Sequence, residues 1–135
     1  MRGEGEKHQQ TMKTEMRNFK KLPAWKKGME IVVKVYEVGQ PLIDTEKHGY
    51  ADMMYHAAID IPSSIAIGSS YESDSEYRTF LRKALGACFQ LETLLIVTEK
   101  QEMIDPLDQE ILSELIEDEK KLLMNFMRQL IWRGA

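Results

Sequence analysis

Apolar side chains recur along this chain every three to four positions, in four blocks, and no segment shows the strict alternation of a half-buried strand. The first block predicts a helix from Leu22 to Val38, with Pro23 in its first turn and Trp25, Met29, Val32, Val33 and Tyr36 at helical spacing. Gly39 and Pro41 end it. The second predicts a helix from Thr45 to Ser69, capped by Asp44, with Tyr50, Met53, Met54, Ala57, Ala58, Ile61, Ile65 and Gly68 in its repeat. Pro62 falls inside this block, where it removes a backbone bond, clashes with the preceding turn and costs ~3 kcal/mol. The small neighbours Ala57, Ala58, Ser63, Ser64 and Ala66 let another helix approach closely. A kinked second helix follows, with a break into two helices at Ile61–Pro62 as the alternative.

The third block predicts a helix from Asp74 to Lys100, opened by the capping-box pair Ser73 and Glu76. Tyr77, Phe80, Leu81, Ala84, Cys88, Leu91 and Leu95 form its stripe, and Phe89, Leu94, Ile96 and Val97 widen it. The fourth runs from Pro106 to Trp132, with Asp105 as cap and Leu107, Ile111, Leu115, Leu122, Phe126 and Leu130 marking its core face. Ile116, Leu123, Met127 and Ile131 make a second apolar row beside it. Four helices with short connections predict an all-α, antiparallel up-down-up-down bundle with a Pro-kinked second helix. A monomeric bundle needs one stripe per helix, so the surplus rows predict contact between subunits.

The 135 residues suit one bundle domain over 19–135, preceded by a polar stretch over 1–18 that reads as a mobile tail gaining helix near its end. No apolar run approaches the ~18 residues of a membrane span, and the N-terminus has no apolar signal core. The single Cys88 rules out an intramolecular disulfide and a multi-cysteine zinc site, which fits a cytoplasmic setting.

Charge changes the picture more than composition does. Residues 1–34 carry nine Lys and Arg against four Glu, whereas residues 35–135 carry nine against eighteen Asp and Glu. Lys20, Lys21, Lys26, Lys27 and Lys34, with Phe19 and Trp25 among them, can hold a nucleic-acid backbone and stack bases. Arg78, Arg82 and Lys83 form a second basic group behind an acidic turn. The alternative is a basic helix lying beside acidic ones in the same bundle or in a neighbouring subunit, with Trp25 and Phe19 as core or interface anchors.

Other chemistry is thin. His48, Asp52 and His56 share a face at i, i+4 and i+8, but no Glu-x-x-His pairing supports a bundle metal site, and a solvated face is the simpler reading. Cys88 lies mid-helix on the apolar stripe, where a small core residue is expected. Glu92, between Leu91 and Leu94, calls for a charged or hydrogen-bonded partner. With no phosphate loop, catalytic triad order or zinc spacing, the chain is expected to be neither an enzyme nor a cofactor binder.

The runs A-A-I-D-I-P-S-S-I-A-I-G at Ala57–Gly68 and F-L-R-K-A-L-G-A-C-F-Q-L-E at Phe80–Glu92 resemble the four-helix-bundle family of intervening-sequence proteins encoded within bacterial 23S rRNA genes. That family also goes by the name S23 ribosomal protein, and diversity-generating retroelement accessory proteins are a related group. L-P-A-W-K-K-G-M-E at Leu22–Glu30 and H-G-Y at His48–Tyr50 resemble two further family blocks. The resemblance implies a ring-like homo-oligomer, a pentamer, with Pro62, Gly68, Gly86 and Glu92 as structural positions. It also implies a scaffold or adaptor role with RNA or another nucleic acid as partner. A protein-partner module without nucleic acid is the alternative. The family's basic, Asn and Glu positions around the proline motif are Tyr55, His56, Ser64 and Ile67 here, followed by Ser69, Ser70 and Tyr71, so that face is neutral.

Overall fold

The computed structural model describes residues 16–134, with side chains described through Leu130. Four helices follow one another: α1 (Pro23–Gly39), α2 (His48–Ser69), α3 (Asp74–Lys100) and α4 (Pro106–Gly134). Short 3-10 turns at Phe19–Lys21 and Gln40–Leu42 flank α1, and no strand occurs among the described residues. No helix among them is long and apolar enough to cross a membrane.

The helices run up, down, up and down, as the tie points show. Gly39 of α1 meets Ala51 of α2, and Gly68 of α2 meets Phe80 and Tyr77 of α3. Gln109 of α4 donates to the Leu95 carbonyl of α3 at 2.5 Å, and Lys34 of α1 bonds Asp108 of α4 at 2.8 Å. The opposite end closes through the Tyr77–Phe126 ring contact at 5.3 Å.

Capping explains which boundaries the sequence marks well. Ser73 Oγ accepts from the Glu76 amide and Asp105 Oδ1 from the Leu107 amide, so α3 and α4 start where expected. Asp44 does not cap α2. Thr45 Oγ1 instead donates to the Leu42 carbonyl and accepts from the Lys47 amide, holding a turn that delays the helix to His48. Past that start α2 is one continuous helix, with Pro62 buried inside it, so the break at Ile61–Pro62 does not occur.

Two faces differ from the sequence reading. On α1 the buried positions are Ala24, Gly28, Ile31, Val35, Val38 and Gly39. The larger side chains point aside or outward, and Val33 and Tyr36 are 65% and 55% exposed. Small residues face in because α1 lies close to its neighbours at Gly28. On α4 the row Leu112, Ile116, Leu123, Met127 and Leu130 is buried, while Leu107, expected on the core face, is 63% exposed. Of that expected face Ile111, Leu115 and Leu122 are half-buried, and only Phe126 and Leu130 reach the core.

Met1–Glu15, most of the expected tail, lies outside the described residues. Met16–Asn18, its last part, does not conform: Met16 is buried, its carbonyl accepts from the Tyr77 hydroxyl, and Arg17 donates to the Tyr71 and Glu72 carbonyls.

Candidate functional site

A polar layer crosses the middle of the bundle. At its centre is Glu119 of α4, 0% exposed, with neither carboxylate oxygen hydrogen-bonded. A Cβ added to Gly28 would meet Glu119 Oε2 at 3.0 Å, Ile61 Cγ2 at 3.3 Å and Pro62 Cδ at 3.3 Å. The carboxyl, the glycine of α1 and the proline of α2 therefore converge on one point. Burial pushes the Glu119 carboxyl up to about 8, and Lys27 of α1 opposes this weakly. Glu119 is thus un-ionised at neutral pH and has one O–H to donate. Pro62 has no amide hydrogen to donate to the Ala58 carbonyl.

Cys88 of α3 belongs to the same neighbourhood. Burial, then the Glu119 carboxylate, pushes its thiol up to about 12. A thiol held so far from ionisation is a packing group, as expected. Glu92 finds its partner in Lys120, at 2.6 Å, and Lys120 also reaches Glu117 at 2.9 Å. The hydrogen bond to Glu92 raises the Lys120 ammonium above its ordinary value.

Charge is segregated about this layer. The half formed by the start of α1, the end of α2, the start of α3 and the end of α4 comprises residues 16–27, 63–87 and 120–130. It carries eleven Lys and Arg against three Asp and Glu. The opposite half, residues 29–60 and 89–118, carries three against fifteen.

The basic half brings together most of the residues singled out in the sequence. Lys20, Lys21 and Lys26 are exposed at the same end of the bundle as Arg78, Arg82 and Lys83, because α1 and α3 both begin there. Aromatic rings lie among them: Phe19 meets Trp25 edge-on at 5.4 Å, and Tyr71 stacks on Phe80 at 5.2 Å. Lys83 sits 4.5 Å over the Phe80 ring and Lys20 5.9 Å over Phe19. Lys27 leans on Glu30 at 3.2 Å and faces Glu119. Lys34 lies in the acidic half, bound to Asp108 at 2.8 Å and Glu37 at 3.5 Å. Its Asp108 bond raises the ammonium above its usual value. For Lys34 the alternative reading, a basic residue lying against an acidic helix, describes what is seen.

Of the structural positions, Gly68 is required by space, since a Cβ there would lie 2.8 Å from Phe80 Cβ. Gly86 is exposed and a Cβ there meets nothing within 4 Å, so close approach does not explain it. His48 Nδ1 lies 2.9 Å from the Thr45 carbonyl, and no metal-binding group of three or more occurs among the described residues.

Sequence reasoning missed Gly28 and Glu119. One charged residue, Glu119, inside the otherwise apolar row 112, 116, 119, 123, 127 and 130 was the available signal.

The fold and its centre define an antiparallel four-helix bundle with a buried acid packed against a proline-bearing helix. A family model of the 23S rRNA-intervening sequence protein matches residues 20–125. The chain belongs to that family. No curated protein matches it.

Proposed function

We propose that this protein is a non-enzymatic, cytoplasmic scaffold or adaptor that assembles as a ring-like homo-oligomer, with α2 bent at Pro62, and binds RNA or another nucleic acid through its basic half. The observation that carries the reading is the charge segregation about the Glu119 layer, with eleven basic against three acidic side chains on one side. A phosphate backbone is held by such a cluster through released counterions. Tyr71, stacked on Phe80 and 36% exposed, supplies a ring within the same cluster for base stacking. The contact excludes Lys34 and centres on Lys20, Lys21, Lys26, Arg78, Arg82 and Lys83.

Assembly is supported by apolar side chains left on the outside. Phe89 and Ile96 of α3 and Met124 of α4 are exposed. The test is light scattering with absorbance at two wavelengths on the natively purified protein. An oligomer carrying nucleic acid is expected at low salt. A monomer at micromolar concentration removes the assembly. An oligomer that neither carries nucleic acid nor takes up added RNA leaves the protein-partner module.

A further inference from the structure

We propose that the cleft between the end of α1 and the start of α2 docks an arginine side chain presented by a basic segment of a partner protein. This site lies in the acidic half, away from the basic cluster, and does not depend on nucleic-acid binding. The cleft encloses about 190 Å³ and is lined by Val35, Tyr36, Gly39, Ala51, Asp52 and Tyr55, with Gln40 and Ile43 at its edge. That is room for one long side chain, too little for a helix.

Three features select the occupant. Asp52 supplies a carboxylate that forms no ion pair among the described residues. An apolar side chain entering here would strip water from that charge and leave it unpartnered, which is costly. Tyr36 and Tyr55 meet with ring centroids 5.7 Å apart, tilted by 53°, and offer faces to a planar cation. A guanidinium stacks on such rings and forks onto a carboxylate, which a compact ammonium does less well.

The surroundings point to a polypeptide rather than a free ion. Fifteen acidic side chains against three basic ones populate this half, so a basic segment is drawn to it and a polyanion repelled. Val33, Ile43 and Met53 are exposed apolar residues on the same end of α1 and α2 and give such a segment surface to cover.

A fluorescein-labelled nonapeptide of alternating glycine and arginine is the probe, with a citrulline version as its neutral isostere. Anisotropy at low salt is expected to show the arginine peptide binding at least about tenfold tighter than the citrulline peptide. Asp52→Asn and Tyr36→Ala each weaken it about fivefold, whereas Asp60→Asn, outside the cleft in the same acidic half, changes it less than twofold. Circular dichroism confirms that these exposed-site variants keep their helices. Absence of binding, equal binding of the two peptides, or equal loss in Asp60→Asn overturns the proposal. So does an Asp52→Asn variant that binds peptide normally but changes the mass in light scattering, which assigns the cleft to a second copy.

Discussion

On the basic side of the Glu119 layer, Gly68 lets α2 press against Phe80 and Tyr77, and Arg17 ties the incoming chain to the α2–α3 turn. On the acidic side, a Cβ on Gly39 would lie 3.4 Å from Ala51 Cβ, an ordinary contact, and the cleft beside Tyr36 and Tyr55 stays open. The α2–α3 contact at one end is thus tighter at its glycine than the α1–α2 contact at the other. Like charges are gathered at each end, which costs self-repulsion. Rings, together with the hydrogen bonds and ion pair that Met16 and Arg17 make to the α2–α3 turn and the start of α3, hold the basic end against it. Lys34–Asp108 holds the acidic end, and Lys120–Glu92 joins the two halves across α3 and α4.

The largest expected effect lies in the layer between the two halves. Glu119 binds its proton more tightly folded than unfolded, so its contribution is full below the unfolded value of about 4.5 and is lost as pH rises towards about 8. The wild type therefore loses about 1.4 kcal/mol per pH unit from this group across that window. Glu119→Gln keeps the shape and removes the proton. It is expected to gain about 3 kcal/mol at pH 7 and little near pH 4.5, read as the difference between urea denaturation curves at the two pH values. An equal gain at both would mean that Glu119 is not held un-ionised.

Next comes the contrast in packing. Gly68→Ala forces a methyl group towards Phe80 and is expected to cost about 2 kcal/mol, whereas Gly39→Ala, with ordinary contact space, stays within about 0.5 kcal/mol. Thermal denaturation of the pair measures the asymmetry directly, and equal losses would erase it. Gly86→Ala meets open space in the middle of α3 and is expected to stabilise by up to about 1 kcal/mol through helix propensity. The smallest effect belongs to the acidic half. A double-mutant cycle on Lys34 and Asp108, each changed to Ala, is expected to return a small favourable coupling that shrinks in high salt.

The sequence announced some of this plainly. α3 could be read to the residue because Ser73 caps it and its apolar stripe is unbroken from Tyr77 to Leu95. α1 was legible as a helix but not as a face. Trp25, Met29, Val33 and Tyr36 dominate its pattern by size, while the buried side carries Ala24 and Gly28, which matter by being small, beside Ile31, Val35 and Val38. Asp44 looked like a cap, but the neighbouring Thr45 takes the local hydrogen bonds. Glu119 was hidden because a glutamate within a run of acids reads as solvated surface. Only the bundle shows that one position of that run turns inward. The basic groups on α1 and α3 were visible separately, and their meeting at one end follows from antiparallel topology.

The central claim, that the basic half holds a polyanion, is tested most directly by titrating a fluorescein-labelled twenty-nucleotide oligouridylate against wild type and a Lys20→Glu, Lys21→Glu, Lys26→Glu variant over a series of salt concentrations. The expected result is tight wild-type binding at low salt that falls linearly in log–log form. The variant should bind at least about a hundredfold more weakly, with a shallower slope. Wild-type protein that is folded and assembled yet shows no binding at low salt, or a variant that binds as well as wild type, would contradict it.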